Sequence, residues 1–306
     1  MRIVIAGGSG FLGRALSTAL AGDGHHTIVL TRASGKAEQP PRLRRVSWTP
    51  DGSVGPWGSE LSGADAVINL AGESIASRRW SDAQKQRILE SRVLATRSLA
   101  AAIGTAGDPP PVFVSGSAVG YYGPRGDDPI TEDTPAGRDF LADVCSKWEA
   151  EAERARSSRT RVVCVRTGLV LDRREGALPR MLPPFYAGIG GPVGSGRQYW
   201  PWIHVDDWVD LVRWTMSDKA IAGAVNASAP APLPNDVFAR ALGRALHRPS
   251  IMPTPGFMLR IVLGEMADAL LLSGQRAVPA KAQQHGFAFR YSDIDGALQH
   301  IFNRSS

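Results

Sequence analysis

Seven residues near the start, Gly7-Gly8-Ser9-Gly10-Phe11-Leu12-Gly13, constrain this chain more than any other feature. They follow a short apolar run, Arg2–Ala6, of the kind that forms a strand buried on both faces. They also open a stretch with helical spacing of apolar residues, Phe11–Leu20. A strand, a glycine-rich turn and a helix in that order make a phosphate cradle. Backbone N–H groups and the positive end of the helix dipole face the anion, and side chains at the turn would block it. Gly7 makes the tight turn, Gly10 lets a pyrophosphate close in, and Gly13 lets the helix pack on the strand. A lone glycine pattern is weak; its position after the first strand is the confirming context. The whole run Gly7, Gly8, Ser9, Gly10, Phe11, Leu12 and Gly13 is therefore expected to line a dinucleotide.

The second β run, Thr27–Thr31, bears on which dinucleotide. A site for NAD usually ends this strand in Asp or Glu, which grips the ribose 2′-hydroxyl. Here the strand leads into Arg32. A carboxylate would repel a 2′-phosphate, whereas a guanidinium pairs with it as a fork. The expectation is NADP(H) in preference to NAD(H), with Lys36 adding charge.

Further β runs at Arg45–Trp48, Ala66–Leu70, Val112–Ser115 and Arg161–Arg166 alternate with helical patterns. Ser81 and Gln84 read as a capping box for a helix reaching Ile103, and Phe140–Arg156 reads as another helix. Repeated β-then-α units imply a Rossmann-type α/β fold, a doubly wound parallel sheet with helices on both faces. Residues 1–170, completed by segments around 203–228, are expected to form this domain. Residues 171–202 and 229–306 are expected to form a smaller C-terminal substrate lobe. In it, Arg173–Trp202 reads as a long, partly ordered excursion. Ala224–Asn226 reads as a returning strand, and Pro234–Leu246 and Pro255–Leu272 as helices. Phe287–Tyr291 alternates like an edge strand, with Ser292 capping a last helix to Phe302.

Composition excludes several classes. With 43% hydrophobic and 21% charged residues, the chain can bury a core and is not a disordered tract. The net charge of +6 is spread among acids with no basic run, so no nucleic-acid partner is expected. The two cysteines, Cys145 and Cys164, form no C-x-x-C pair. They suggest neither a disulfide framework nor a zinc site, and fit a cytoplasmic setting. Cys145 reads as a small buried residue. With a strand expected to start at Arg2, no cleavable signal is expected. Phe257–Leu272 is too short for a bilayer and carries charges. No membrane partner is expected, and no metal: His204 with Asp206 and Asp207 is too few ligands, and the two acids suit a helix start.

GGSGFLG, NLAGESIASRRW at Asn69–Trp80, SGSAVGYYG at Ser115–Gly123, WIHVDD at Trp202–Asp207 and GEMADALLLSGQRAVP at Gly264–Pro279 together resemble an extended short-chain dehydrogenase/reductase. The closer resemblance is to the atypical epimerase-family subgroup with a small C-terminal domain. That resemblance implies that Leu70, Ala71, Gly72 and Ser115 line the cofactor and that Ser117 is the catalytic serine. It implies that Asn69 and Arg92 hold the adjoining loop and helix, and that the 194–202 region walls a substrate pocket. Arg197 would there bind an anionic group, and Trp202 would shape an aromatic wall or else pack. Ordinary members carry Tyr-x-x-x-Lys on the next helix. Here the alignment gives Asp143 and Lys147, so the lysine is present and the tyrosine is not. The two residues read as an i,i+4 ion pair or a displaced relay. Tyr122 is the stand-in proton donor and Tyr121 a substrate contact, unless both simply pack. The expected activity is NADP(H)-dependent oxidoreduction or epimerisation of a small polar or sugar-like molecule. The rival is a cofactor-binding sensor or scaffold. A monomer, or a homodimer paired through the two long helices, fits the resemblance.

Overall fold

A computed structural model of the chain describes residues 1–32 and 42–303; Lys36 lies outside them. The main sheet is built from β1 (Arg2–Ala6), β2 (His26–Thr31), β3 (Leu43–Ser47), β4 (Ala66–Asn69), β5 (Val112–Ala118), β6 (Arg161–Thr167) and β7 (Gly223–Ala227). Its order is β7-β6-β5-β4-β1-β2-β3, and every pairing is parallel. The connections run outward from β1 in one direction and from β4 in the other. The crevice above the carboxyl ends of those two strands is thus the switch point where open α/β sheets bind ligands.

Alternation along the strands divides the core. Ile3, Ile5, Ile68, Val114 and Val165 face α1 (Phe11–Gly22) and α4 (Val205–Ser217). Val4, Val67, Phe113 and Cys164 face the opposite layer, which holds α2 (Asp82–Thr105) and α3 (Phe140–Glu153). Burial on both faces is why these strands read as continuous apolar runs. A third cluster, with Trp200, Trp202 and Phe238, joins the helix Leu178–Tyr186 to α5 (Asn235–Leu246) and α6 (Ile294–Asn303). No helix among the described residues is long and apolar enough to cross a membrane.

Several local expectations change. The run Pro255–Leu272 is broken at Gly264, whose φ of +64° suits only glycine, and whose Cβ would strike Arg79 Nε at 2.8 Å. A helix at Gly256–Leu263 and two short turns replace one long helix. Phe287–Tyr291 is not a strand. Its Arg290 and Tyr291 N–H groups donate to the buried carboxylate of Asp207, at 2.8 and 3.0 Å, and Phe287 packs on Trp214. The last helix is capped by Asp293, which accepts from the N–H of Gly296 at 2.8 Å, and not by Ser292. The box at α2 is half made. Ser81 accepts from the Gln84 N–H at 3.3 Å, while the Gln84 side chain turns to Arg87.

Candidate functional site

The glycine turn is built around close contacts. Gly7 has a φ of +79°, and a Cβ on it would lie 2.5 Å from the Leu70 carbonyl carbon. The β1 and β4 loops touch only because Gly7 has no side chain. A Cβ on Gly13 would lie 2.3 Å from the Gly7 oxygen, which fixes α1 tightly under the turn. Gly10 differs: its nearest neighbour, the Gly7 oxygen, is 3.4 Å from the Cβ position, and the residue is exposed. It caps α1 with no side-chain bond, and the first turn carries no acid. The first N–H groups of α1 therefore have no side chain to satisfy them at the switch point, which is what an anion site requires. Arg32 lies just past β2, exposed, with no protein partner among the described residues.

On the β4 side, Asn69 donates to Thr96 Oγ1 at 2.8 Å and accepts from the Ala71 N–H at 3.1 Å. It ties the strand end to α2 and shapes the Ala71–Gly72 turn. Leu70 is held by its N–H to the Ala6 carbonyl at 2.8 Å.

At the end of β5 lies a buried polar chain. Ser117 donates to Glu149 Oε1 at 2.6 Å. Glu149 takes both Nε and Nη2 of Arg166, each at 2.9 Å. Arg166 Nη1 donates to Tyr122 Oη at 3.0 Å and to the Glu132 carbonyl at 3.1 Å. Tyr122 in turn donates to Asn226 Oδ1 at 2.7 Å. Burial pulls the Arg166 guanidinium down, but Glu149 and Tyr122 outweigh it and the net direction is up. The guanidinium also lies 3.4 Å from the centre of the Tyr121 ring. Tyr121 is partly exposed, with no hydrogen bond to its hydroxyl among the described residues.

Residues 3–227 match the NAD dependent epimerase/dehydratase family, and residues 254–301 match a domain of unknown function, DUF1731. The chain belongs to the NAD dependent epimerase/dehydratase family. Epimerase family protein YfhF of Bacillus subtilis is 38% identical over 302 residues, covering 98% of both chains. Epimerase family protein MT2273 of Mycobacterium tuberculosis is 40% identical over 303 residues, covering 99% of this chain and 98% of the relative. Among solved structures, the human epimerase family protein SDR39U1 with NADPH superposes with a TM-score of 0.89 at 35% identity, covering 99% of each chain. The UDP-glucuronic acid 4-epimerase of Bacillus cereus, at 14% identity and a TM-score of 0.77, shares the fold.

This family member departs from the usual proton relay. Lys147 and Asp143 pair with each other at 2.8 Å, with side chains 54% and 50% exposed, so the ion-pair reading of this segment fits. Tyr122 is corrected as proton donor. It is fully buried, its hydroxyl proton is given to Asn226, and burial lifts its pKa to about 12 against the pull of Arg166. Trp202 is corrected as a pocket wall: it is fully buried in the third cluster, with its indole N–H on the Ala231 carbonyl. Ser115 is fully buried, its hydroxyl on the Gly116 carbonyl, so its side chain cannot line a cofactor. Arg197 is exposed and makes no side-chain bond among the described residues.

His204 caps α4 by accepting the Asp206 N–H on Nδ1 at 3.0 Å, and its Nε2 lies 3.1 Å from His300 Nδ1. His300, Glu132, Glu149, Arg166 and Asn226 carried no sequence signal, because each acts through a partner distant in the chain. Cys145 and Cys164 are both buried, and burial lifts both thiols, Cys145 to about 11. The native protein is expected to show no reactive thiol toward a disulfide reagent at pH 8, and two after denaturation. Rapid labelling of the native chain would contradict this packing.

Proposed function

We propose that the protein binds NADP(H) in the switch-point crevice and acts as an oxidoreductase or epimerase on a small polar or sugar-like molecule. The observation that carries this reading is the uncapped N-terminus of α1 beneath the glycine turn, with exposed Arg32 just past the neighbouring strand β2. The residues fit the group: Gly10 leaves space where a Cβ would crowd a phosphate, and Arg32 stands where a carboxylate would exclude a 2′-phosphate. The glycine run, Leu70, Ala71 and Gly72 would hold it. When bound, it supplies or accepts the hydride. The human relative's crystal structure with NADPH supports the same choice of dinucleotide.

The chain's own part is to hold the substrate oxygen and move its proton. Tyr121 takes the role first given to Tyr122. Its hydroxyl is unclaimed at the carboxyl end of β5, and the Arg166 guanidinium stacks on its ring and fixes its place there. Ser117 sits beside it, but donates to Glu149 and must turn to donate to substrate. Lys147 pairs with Asp143 on the exposed face of α3, and this reading gives it no part in the proton transfer. The same two facts support a second reading, a cofactor-binding sensor without robust turnover. Hydride consumption over a panel of carbonyl compounds separates the two: sustained turnover supports the enzyme, and binding without turnover supports the sensor.

Nicotinamide fluorescence titrations are expected to show NADPH bound more tightly than NADH. Arg32→Ala is expected to weaken NADPH by about tenfold or more while leaving NADH nearly unchanged, the loss of one forked phosphate contact. Equal affinities in the parent protein would remove Arg32 as selector.

A further inference from the structure

Arg92 carries a charge that the fold does not neutralise. It lies on α2 beneath the β4 loop, where a Cβ on Gly72 would meet its Cγ and Cζ at 3.2 Å and its Nη1 at 3.3 Å. Gly72 is thus what gives the guanidinium its place at the loop. Among the described residues the guanidinium makes a single hydrogen bond, from Nη1 to the Ile88 carbonyl of its own helix at 3.0 Å. It lies 5.2 Å from the centre of the Trp148 ring. No carboxylate among the described residues comes within ion-pair distance; Glu73 acts on it only from farther away. Neighbouring arginines are treated differently. Arg97, on the same helix, pairs with Glu151, and Arg166 pairs with Glu149.

Arg92 is partly buried, and burial pulls its pKa down. Among the described residues its partners are the Ile88 carbonyl and the Trp148 ring, and neither carries a negative charge to offset the cost of burying a guanidinium. Its other N–H groups are not sealed off: no Arg92 nitrogen is among the buried polar atoms lacking a partner. The position is also specific. The Trp148 ring beneath the guanidinium lies 3.0 Å from the Cβ position of Gly116, so Arg92 stacks on a ring that touches β5 one residue before Ser117. This is the opposite face of the sheet from α1, whose N-terminus is the cradle for the dinucleotide phosphates.

We propose that Arg92 is the anion-recognition residue of the substrate site and holds a carboxylate or phosphate group of the substrate against the Gly72 turn. The planar fork of donors suits either group, and both oxygens can be bound at once. The proposal rests on the reading that the crevice holds NADP(H). The cofactor's own phosphates are the other source of such an anion, and the test separates the two.

Malonate and inorganic phosphate, each titrated at constant ionic strength with and without saturating NADPH, serve as probes. Tryptophan emission, to which Trp148 contributes, reports anion binding; nicotinamide fluorescence reports NADPH. The expected result is saturable binding of at least one anion by the parent protein. Arg92→Met, which keeps a stem to pack on Trp148, should weaken it by about tenfold or more. Arg92→Lys should fall between, and in both variants any loss of NADPH affinity, passed on through the Gly72 turn that Arg92 packs against, should be several-fold smaller than the loss of anion affinity. Thermal melts establish that the variants fold, and Arg92→Lys stands in if Arg92→Met does not. Anion binding that is absent, or unchanged in the variants, overturns the proposal. An equal weakening of NADPH overturns it too, by assigning Arg92 to the cofactor. Anion binding that needs Arg92 in a protein that fails to bind NADPH would instead sink the cofactor reading and leave Arg92 as an anion site.

Discussion

Arg166→Met is expected to destabilise the protein by about 3–5 kcal/mol, the usual cost of removing one partner of a buried ion pair. The arginine is 4% exposed and the Glu149 side chain 13%, so water can replace only part of what the substitution removes. The loss leaves Glu149 as an unpaired carboxylate, and takes a donor from Tyr122 Oη and from the Glu132 carbonyl. Glu149→Leu combined with Arg166→Met should recover part of the stability, because the stranded charge is then gone. Recovery should be partial, since Tyr122 and Glu132 still lack their donor. Chemical denaturation of the parent, the two single variants and the double variant measures the coupling. A double variant that loses the sum of the two singles would mean that the pair is not coupled.

How much of this was legible beforehand depended on whether a residue acts locally. The glycine turn and the order of strands and helices sit within short stretches of chain, and local spacing reveals them, whereas the bridge from Asn69 to Thr96, 27 residues on, was suggested only by the family resemblance. Arg32 could be singled out because its expected role follows from its distance along one β-turn-α-β unit. The Arg166 network could not. A lone arginine in an apolar run looks like the end of a strand, and its partners come from three other segments, up to 44 residues away in sequence. The choice between Tyr121 and Tyr122 was equally hidden, because the short helical turn after β5 sends one ring into the core and leaves the next at its edge. Trp202 misled in the same way: a tryptophan beside Tyr199 and Trp200 reads as a ligand wall until its indole N–H finds a carbonyl inside the lobe. Phe287–Tyr291 alternates as an edge strand would, but its backbone donors are captured by Asp207, a side chain more than eighty residues earlier.

Gly10→Ala and Gly13→Ala are expected to fail in opposite ways, and the contrast separates binding from folding. At Gly13 an added Cβ would sit 2.3 Å from the Gly7 oxygen and 2.5 Å from Gly8 Cα, both backbone atoms that cannot swing aside. Helix α1 would have to lift off the turn, so Gly13→Ala should lower stability by about 1–3 kcal/mol, the usual cost of overpacking. NADPH binding should fall with it. At Gly10 the nearest atom is 3.4 Å away, an ordinary contact, and φ is −79°, which alanine adopts freely. Gly10→Ala should therefore fold as well as the parent. Its methyl would project where a pyrophosphate must approach the first N–H groups of α1, so NADPH affinity should drop by about a hundredfold or more. Thermal melts paired with nicotinamide titrations read both effects. If Gly10→Ala keeps full affinity, the phosphates do not lie over that residue, and the α1 N-terminus is not the site at which the dinucleotide is held.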